Sequence, residues 1–322
     1  VRSDGGLCRC SGDWYPTGAM IRNPPSPPRE PLFEARSFAP QDGGDDPEVR
    51  AFIEALREHG AAIIDLGDAA RLLCDQAVAD TGDYFASGAT RVQDAWHRSS
   101  AVRRLATWLR IRALLTAAYG RDPIPFQTLN FHRGSEQALH TDTIHFHSIP
   151  ERFMCGVWIA LEDVAPGAGP LIYHPGSHRL PVMSMRDAGV NRSVPSPQDY
   201  EHVFVPRFAQ RIAESGIPQV RAVLKKGWAL VWAANLAHGG APIETAGATR
   251  RSLVVHNFFA DCVYYTPMTS DVEGGRLALR VPANVRTGGW AWPRSEGRPL
   301  WPGRRALINA LRDGWLRRPH VE

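Results

Sequence analysis

Phe153-Met154-Cys155-Gly156-Val157-Trp158-Ile159-Ala160-Leu161 reads as a β-strand with two unlike faces. Successive side chains of a strand point to opposite sides. Val157, Ile159 and Leu161 therefore form one branched apolar face, and Gly156, Trp158 and Ala160 form the other, where two small residues around one indole leave room for a ligand. Comparable β-type runs at residues 126–133, 139–143, 171–174, 219–224, 228–233 and 250–259 are separated by Gly and Pro. Seven or eight short strands in succession predict a sandwich or jelly roll. Nearer the N-terminus the period lengthens. Asp45 or Asp46 is placed to cap a helix that begins at Pro47, shows Val49, Ile53 and Leu56 at helical spacing and stops at Gly60. Residues 61–66 predict a short strand, and two further helices follow at 68–86 and 99–119, the second displaying Leu105, Trp108, Leu109 and Leu115.

These elements predict a mainly β chain with a helical layer, organised as one domain over residues 45–322. Residues 45–124 form the helical layer, 125–260 the core, and 261–322 a tail packed on it, ending in a helix with Leu307, Leu311 and Trp315 on one side. Residues 1–44, poor in aliphatic side chains and centred on Pro24-Pro25-Ser26-Pro27-Pro28, read as an extended or disordered arm. The polar insertion 179–218 is too long for a hairpin loop and is expected to cover a site as a mobile element.

Among 322 residues, 43% are apolar and 22% charged, and no run approaches a membrane span. The net charge of +4 comes with only two lysines, Lys225 and Lys226, and with arginines scattered among acids, which argues against nucleic acid as a partner. Three of the five cysteines (Cys74, Cys155 and Cys262) lie in apolar or helical runs, while Cys8 and Cys10 are too few for a zinc site. Reduced thiols and a cytoplasmic, soluble protein are the expectation; the oligomeric state is not legible.

His140-Thr141-Asp142 ends a strand pattern, so alternation puts His140 and Asp142 on one face. Alone, a His-x-Asp triplet is a weak signal. A third candidate, His238, follows the run 228–233, and two imidazoles with one carboxylate leave coordination positions open, as in non-haem Fe(II) oxygenases.

Taken together, Pro125-Phe126-Gln127-Thr128-Leu129-Asn130-Phe131, His140-Thr141-Asp142, Trp158-Ile159-Ala160-Leu161-Glu162-Asp163, Gly169-Pro170-Leu171, Pro175-Gly176-Ser177-His178, and His238 with Arg250 resemble the phytanoyl-CoA dioxygenase family of Fe(II)/2-oxoglutarate oxygenases, over about residues 50–260. The resemblance implies a double-stranded β-helix, the cupin-like jelly roll, with iron held by His140, Asp142 and His238 and with 2-oxoglutarate chelated to it. It also implies O2 as co-reactant and hydroxylation or oxidative cyclisation of a small organic substrate. With Asp142 filling the carboxylate position, halogenation is not expected.

A buried carboxylate such as the far end of 2-oxoglutarate needs a charged, bidentate partner. Leu253, Val255 and Phe259 share the parity of Arg251, so that face is assigned to the helical layer, and Arg250, Ser252 and His256 to the lumen. The resemblance points to Arg250 as well, and it places Trp158 in the wall of the cosubstrate pocket. Asn130 resembles the amide that relatives direct at 2-oxoglutarate, and Gln127 the one directed at substrate. His145 and His147 are substrate-binding candidates, and His178 is expected to order its turn. The substrate is taken to be a sugar-containing or other secondary metabolite. A non-catalytic jelly-roll binding or sensor protein, and a zinc hydrolase on the same triad, are the rival readings.

Overall fold

The computed structural model describes residues 27–36, 46–192, 195–272, 274–315 and 320–321. Helix α1 (Pro47–His59) is capped by Asp46, whose carboxylate accepts from the Glu48 amide at 2.9 Å, and it ends where Gly60 turns left-handed at φ 69°. Strand β1 (Ala61–Asp65) and helix α2 (Asp68–Ala86) follow, then β2 (Arg91–Gln93).

The single helix expected over 99–119 is two: α3 (Ser100–Ala106) and α4 (Leu109–Tyr119), broken at Thr107 and the extended Trp108. Leu105 and Ile111 both enter the main core. At about 100° per residue, six helical steps would set them about 120° apart, and the break reorients the second stretch so that each buries a face in that core. Leu109, expected inside, is 77% exposed.

The remaining strands are β3 (Pro123–Phe131), β4 (His147–Ile149), β5 (Met154–Ala160), β6 (Leu171–Tyr173), β7 (Val220–Ala222), β8 (Trp228–Ala233), β9 (His238–Gly240), β10 (Ser252–Phe259) and β11 (Val263–Tyr265). The large sheet runs β1-β8-β5-β10-β3-β2, with His320–Val321 at its far edge, and all its pairings are antiparallel. The small sheet runs β7-β6-β9. The two form the jelly roll. Val157, Ile159, Val231, Leu253 and Val255 of the large sheet pack with α1–α4. On the inner face, Trp158, Ala160, Leu230, Trp232 and Val254 meet Leu171, Tyr173 and Ala222 of the small sheet.

Along β10 the alternation holds through His256, where the register with β3 slips by one residue and Phe126 is left without an opposite number. Beyond this bulge Phe258 and Phe259 both join the helix-side core. The expected strand at 139–143 is reduced to one bridge: His140 and His238 exchange both backbone hydrogen bonds at 2.9 Å, and the chain then enters a 3-10 turn, Asp142–Ile144.

The arm is closer to the domain than expected. Phe33 is fully buried edge-on to Tyr119, and Arg121 donates to the Pro28 carbonyl. The rest of the arm, Cys8 and Cys10 included, lies outside the described residues. The insertion carries a helix, Val205–Glu214, and an apolar cluster of its own that includes Met183, Phe204 and Phe208 and packs on Ile144 and Ala237. The tail helix, Arg304–Trp315, buries Ala306 and Ala310, not the expected leucine stripe; Leu311 is 58% exposed, and the Trp315 side chain is outside the described residues. No helix among the described residues is long and apolar enough to cross a membrane.

Gly60 joins the helical layer to the barrel mouth, because a Cβ there would stand 2.4 Å from the His178 ring. Gly60→Ala combines left-handed strain with overpacking and is expected to cost roughly 2–4 kcal/mol. Urea unfolding of the variant measures this; a loss within error would mean that the His178 ring swings aside without penalty.

Candidate metal centre

Each of the three candidate ligands is buried and presents one atom inward. His140 donates Nδ1–H to the Ala138 carbonyl at 2.8 Å, and His238 donates Nδ1–H to the Leu236 carbonyl at 2.9 Å. Both rings thereby turn the Nε2 lone pair inward; that of His140 accepts from the Gln137 side-chain amide at 3.2 Å, a bond that a metal ion would replace. Asp142 accepts from Trp232 Nε1 through Oδ2 at 2.7 Å, which leaves Oδ1 facing His238 Nε2 at 3.9 Å. The three donor atoms lie within 4.8 Å of one another. Burial, above all, pushes the His140 imidazole down to about 3 and that of His238 to about 4, so both rings are neutral near pH 7 and able to ligate. Two neutral imidazoles and a carboxylate suit a divalent transition metal.

Trp232 was not singled out from the sequence. Its indole occupies the space left by Gly156, where a Cβ would stand 2.2 Å from the ring. The room beside Trp158 is therefore filled by a tryptophan that orients the metal carboxylate, not by a ligand. The signal was present in the alternation of β5 and β8, which pairs Gly156 with Trp232, but strand pairing is not written in one sequence.

A cavity of about 440 Å³ opens in front of the triad. Arg250 lines it, 3% exposed, with its guanidinium 5.6 Å from the Trp158 ring and 5.9 Å from Phe131. Burial lowers its pKa to about 10, and no carboxylate of the described residues pairs with it. Ser252 shares the inner face, since it pairs with Phe131 and Ala160. Arg251 points the other way and pairs with Glu162 at 3.3 Å.

Gln127 reaches the cavity, and its Oε1 accepts from His256 Nδ1 at 2.9 Å; His256 Nε2 stands 3.8 Å from Asp142. His145 also lines it and contacts the Tyr200 hydroxyl of the insertion at 3.0 Å.

Two expected residues fall elsewhere. Asn130 has the opposite parity to Gln127; it pairs with Leu253 and Val92, both in the helix-side core, and so faces away from the cavity. His147 pairs with Tyr265 on the separate β4–β11 ribbon and does not line the cavity. His178 is buried in its turn, away from the triad, and its carbonyl accepts from Asn235 at 3.1 Å.

Residues 43–252 match the model of the phytanoyl-CoA dioxygenase family. The chain belongs to this family. Peroxisomal phytanoyl-CoA dioxygenase of Rattus norvegicus is 27% identical over 134 residues, which are 40% of this chain and 36% of the rat protein. The Homo sapiens protein is 27% identical over 144 residues, 44% and 37% of the two chains. The family member described here thus spans little more than a third of the length of these curated relatives. Solved structures share its fold. EctD from S. alaskensis, with 2-oxoglutarate and 5-hydroxyectoine, superposes with a TM-score of 0.54 at 17% identity, covering 85% of this chain and 98% of that one. The epimerase SnoN from nogalamycin biosynthesis, in complex with Fe3+, alpha ketoglutarate and nogalamycin RO, gives 0.53 at 22%, covering 81% and 98%. The carbocyclase SnoK, from the same biosynthesis, gives 0.53 at 17%, covering 75% and 94%.

Removing the Trp232 N–H leaves Asp142 Oδ2 without its donor, so Trp232→Phe is expected to weaken Fe(II) binding about ten- to a hundredfold. Anaerobic metal titration measures the change. The pH dependence follows from burial. His140, His145, His147, His178, His238 and His256 all titrate near 3 to 4 in the fold, below the ordinary 6.5, chiefly through burial. The unfolded chain therefore binds more protons in that window. Stability of the metal-free protein should be flat near pH 7–8 and fall as pH drops from about 6.5 through about 4, as thermal melts across that range would record.

Proposed function

We propose that this chain is an Fe(II)- and 2-oxoglutarate-dependent oxygenase acting on a small organic molecule. The observation that carries the reading is the placement of Arg250. A guanidinium buried without a carboxylate partner is costly, and this one lines the same cavity as an inward-facing His-Asp-His triad. A dianion that chelates the metal at one end and meets Arg250 at the other satisfies both.

His140, Asp142 and His238 would hold the metal, with Trp232 fixing the carboxylate. Arg250 would bind the distal carboxylate of 2-oxoglutarate, with Ser252 and Trp158 beside it; the Ser252 hydroxyl and the Trp158 N–H are buried without hydrogen-bond partners. Iron, 2-oxoglutarate and O2 together supply the oxidation: one oxygen atom ends in succinate, CO2 leaves, and the other atom enters the substrate or departs as water. The side chains bind, orient and keep water out. Gln127 and His145, which line the cavity, would meet substrate. A secondary metabolite is the substrate class we favour, supported by likeness to SnoN and SnoK, both from nogalamycin biosynthesis.

Anaerobic Fe(II) loading followed by 2-oxoglutarate and oxygen tests the reading. Succinate should form, and His140→Ala, Asp142→Ala or His238→Ala should abolish it. Iron uptake without succinate would favour the binding protein instead. Charge-assisted bonds to a buried carboxylate are worth roughly 1.5–3 kcal/mol. Arg250→Ala should therefore weaken 2-oxoglutarate binding about ten- to a hundredfold, and Arg251→Ala, paired outside with Glu162, should change it little. The reverse pattern would invalidate the lumen assignment of β10.

A further inference from the structure

A second cavity, of about 810 Å³, adjoins the metal pocket and is walled largely by the C-terminal segment between Thr266 and Ala310. Gln93, Gln127, Thr266 and Arg280 line both spaces and so form a neck between them. The lining of the outer chamber is aromatic in part, with Trp96, Phe126 and Trp290, the last 42% exposed at a position no core packing requires.

Its acids are already engaged. Asp94 accepts from the Thr128 amide at 2.9 Å and from Trp96 Nε1 at 3.3 Å, and Asp271 accepts from Arg276 at 2.7 Å. The neck carries the Arg280 guanidinium. Arg280 lies 5.0 Å over the Phe146 ring and donates to Thr266 Oγ1 at 3.0 Å, and its charge reaches the metal pocket, where it adds to the burial that lowers the pKa of His145 to about 4.

We propose that the substrate spans both chambers: an extended molecule whose reacting end enters the metal pocket, whose anionic or carbonyl oxygen meets Arg280 at the neck, and whose aromatic or alicyclic body fills the outer chamber. The inference rests on the oxygenase reading for the inner end alone. A cavity of 440 Å³ that must also hold 2-oxoglutarate leaves space for a small reacting group, whereas the adjoining space has the size and mixed lining of a ligand site. The C-terminal segment is then the specificity element, and Arg280 its charged contact.

The probe is 8-anilinonaphthalene-1-sulfonate, an aromatic body carrying one anion, titrated by fluorescence into the full chain loaded anaerobically with Fe(II) and 2-oxoglutarate. Two variants attack different parts of the site. Arg280→Gln removes the neck charge. Gly289→Trp fills the outer chamber at a lining position where an added Cβ meets nothing closer than the Thr287 hydroxyl at 3.5 Å. Saturable binding to the wild type, weakened at least tenfold in each variant, is the expected result. In Gly289→Trp the Fe(II)–2-oxoglutarate absorption band should form as in the wild type. No saturable binding, or equal binding to all three proteins, overturns the two-chamber substrate. A wild-type protein that never forms the band overturns the oxygenase reading, and leaves the outer chamber to be judged by the dye alone.

Discussion

A carboxylate taken out of water must find partners, and Asp142, 3% exposed, is the point from which the site is built. Trp232 answers one of its oxygens. That indole fits only because Gly156 has no side chain, and Gly156 sits in β5, between β10 and β8. The geometry of one ligand therefore depends on the register of three neighbouring strands. Shifting β5 by one residue against β8 would put Cys155 or Val157 against the indole and move the carboxylate with it.

The same two-sidedness sorts the charged residues. Leu253 and Val255 commit one face of β10 to the helices, so neighbouring arginines have opposite fates. Arg251 reaches Glu162 at the surface edge, while Arg250 is buried beside Trp158 with no acid among the described residues to neutralise it. Burial costs the arginine part of its basicity and costs the histidines most of theirs. The first stays cationic and awaits an anion; the second become neutral lone-pair donors. One low-dielectric lumen thus sets a buried cation and two neutral ligating rings on the same cavity.

Around this core, peripheral segments pack against the site. The insertion is tied down through Phe204 and Phe208 onto Ile144 and Ala237, each close in sequence to a candidate ligand, and it sets Tyr200 against His145. The tail closes the opposite side, with Arg280 stacked on Phe146 beside the 3-10 turn that carries Asp142. Neither segment contributes a candidate ligand, but both pack beside residues that do.

Local signals in the sequence determined the helices α1 and α2, a cap at Asp45 or Asp46, most of the strands, the three candidate ligands and the inward direction of Arg250. These follow from periodicity, cap chemistry and residue type, which act over a few neighbours. Resemblance to a family gave the jelly roll its name. What depended on packing between distant segments was decided only in three dimensions. The break at Thr107 lets two helical stretches each bury a face in one core. Asn130 turns outward because Leu253 and Val92 stand beside it, although its residue type suited the pocket. Trp232 became the partner of Asp142 through a pairing across 90 residues, and the outer chamber exists because the tail folds back over β2 and β3. A single chain carries no record of which strands will be neighbours; that is fixed when the apolar faces are buried together.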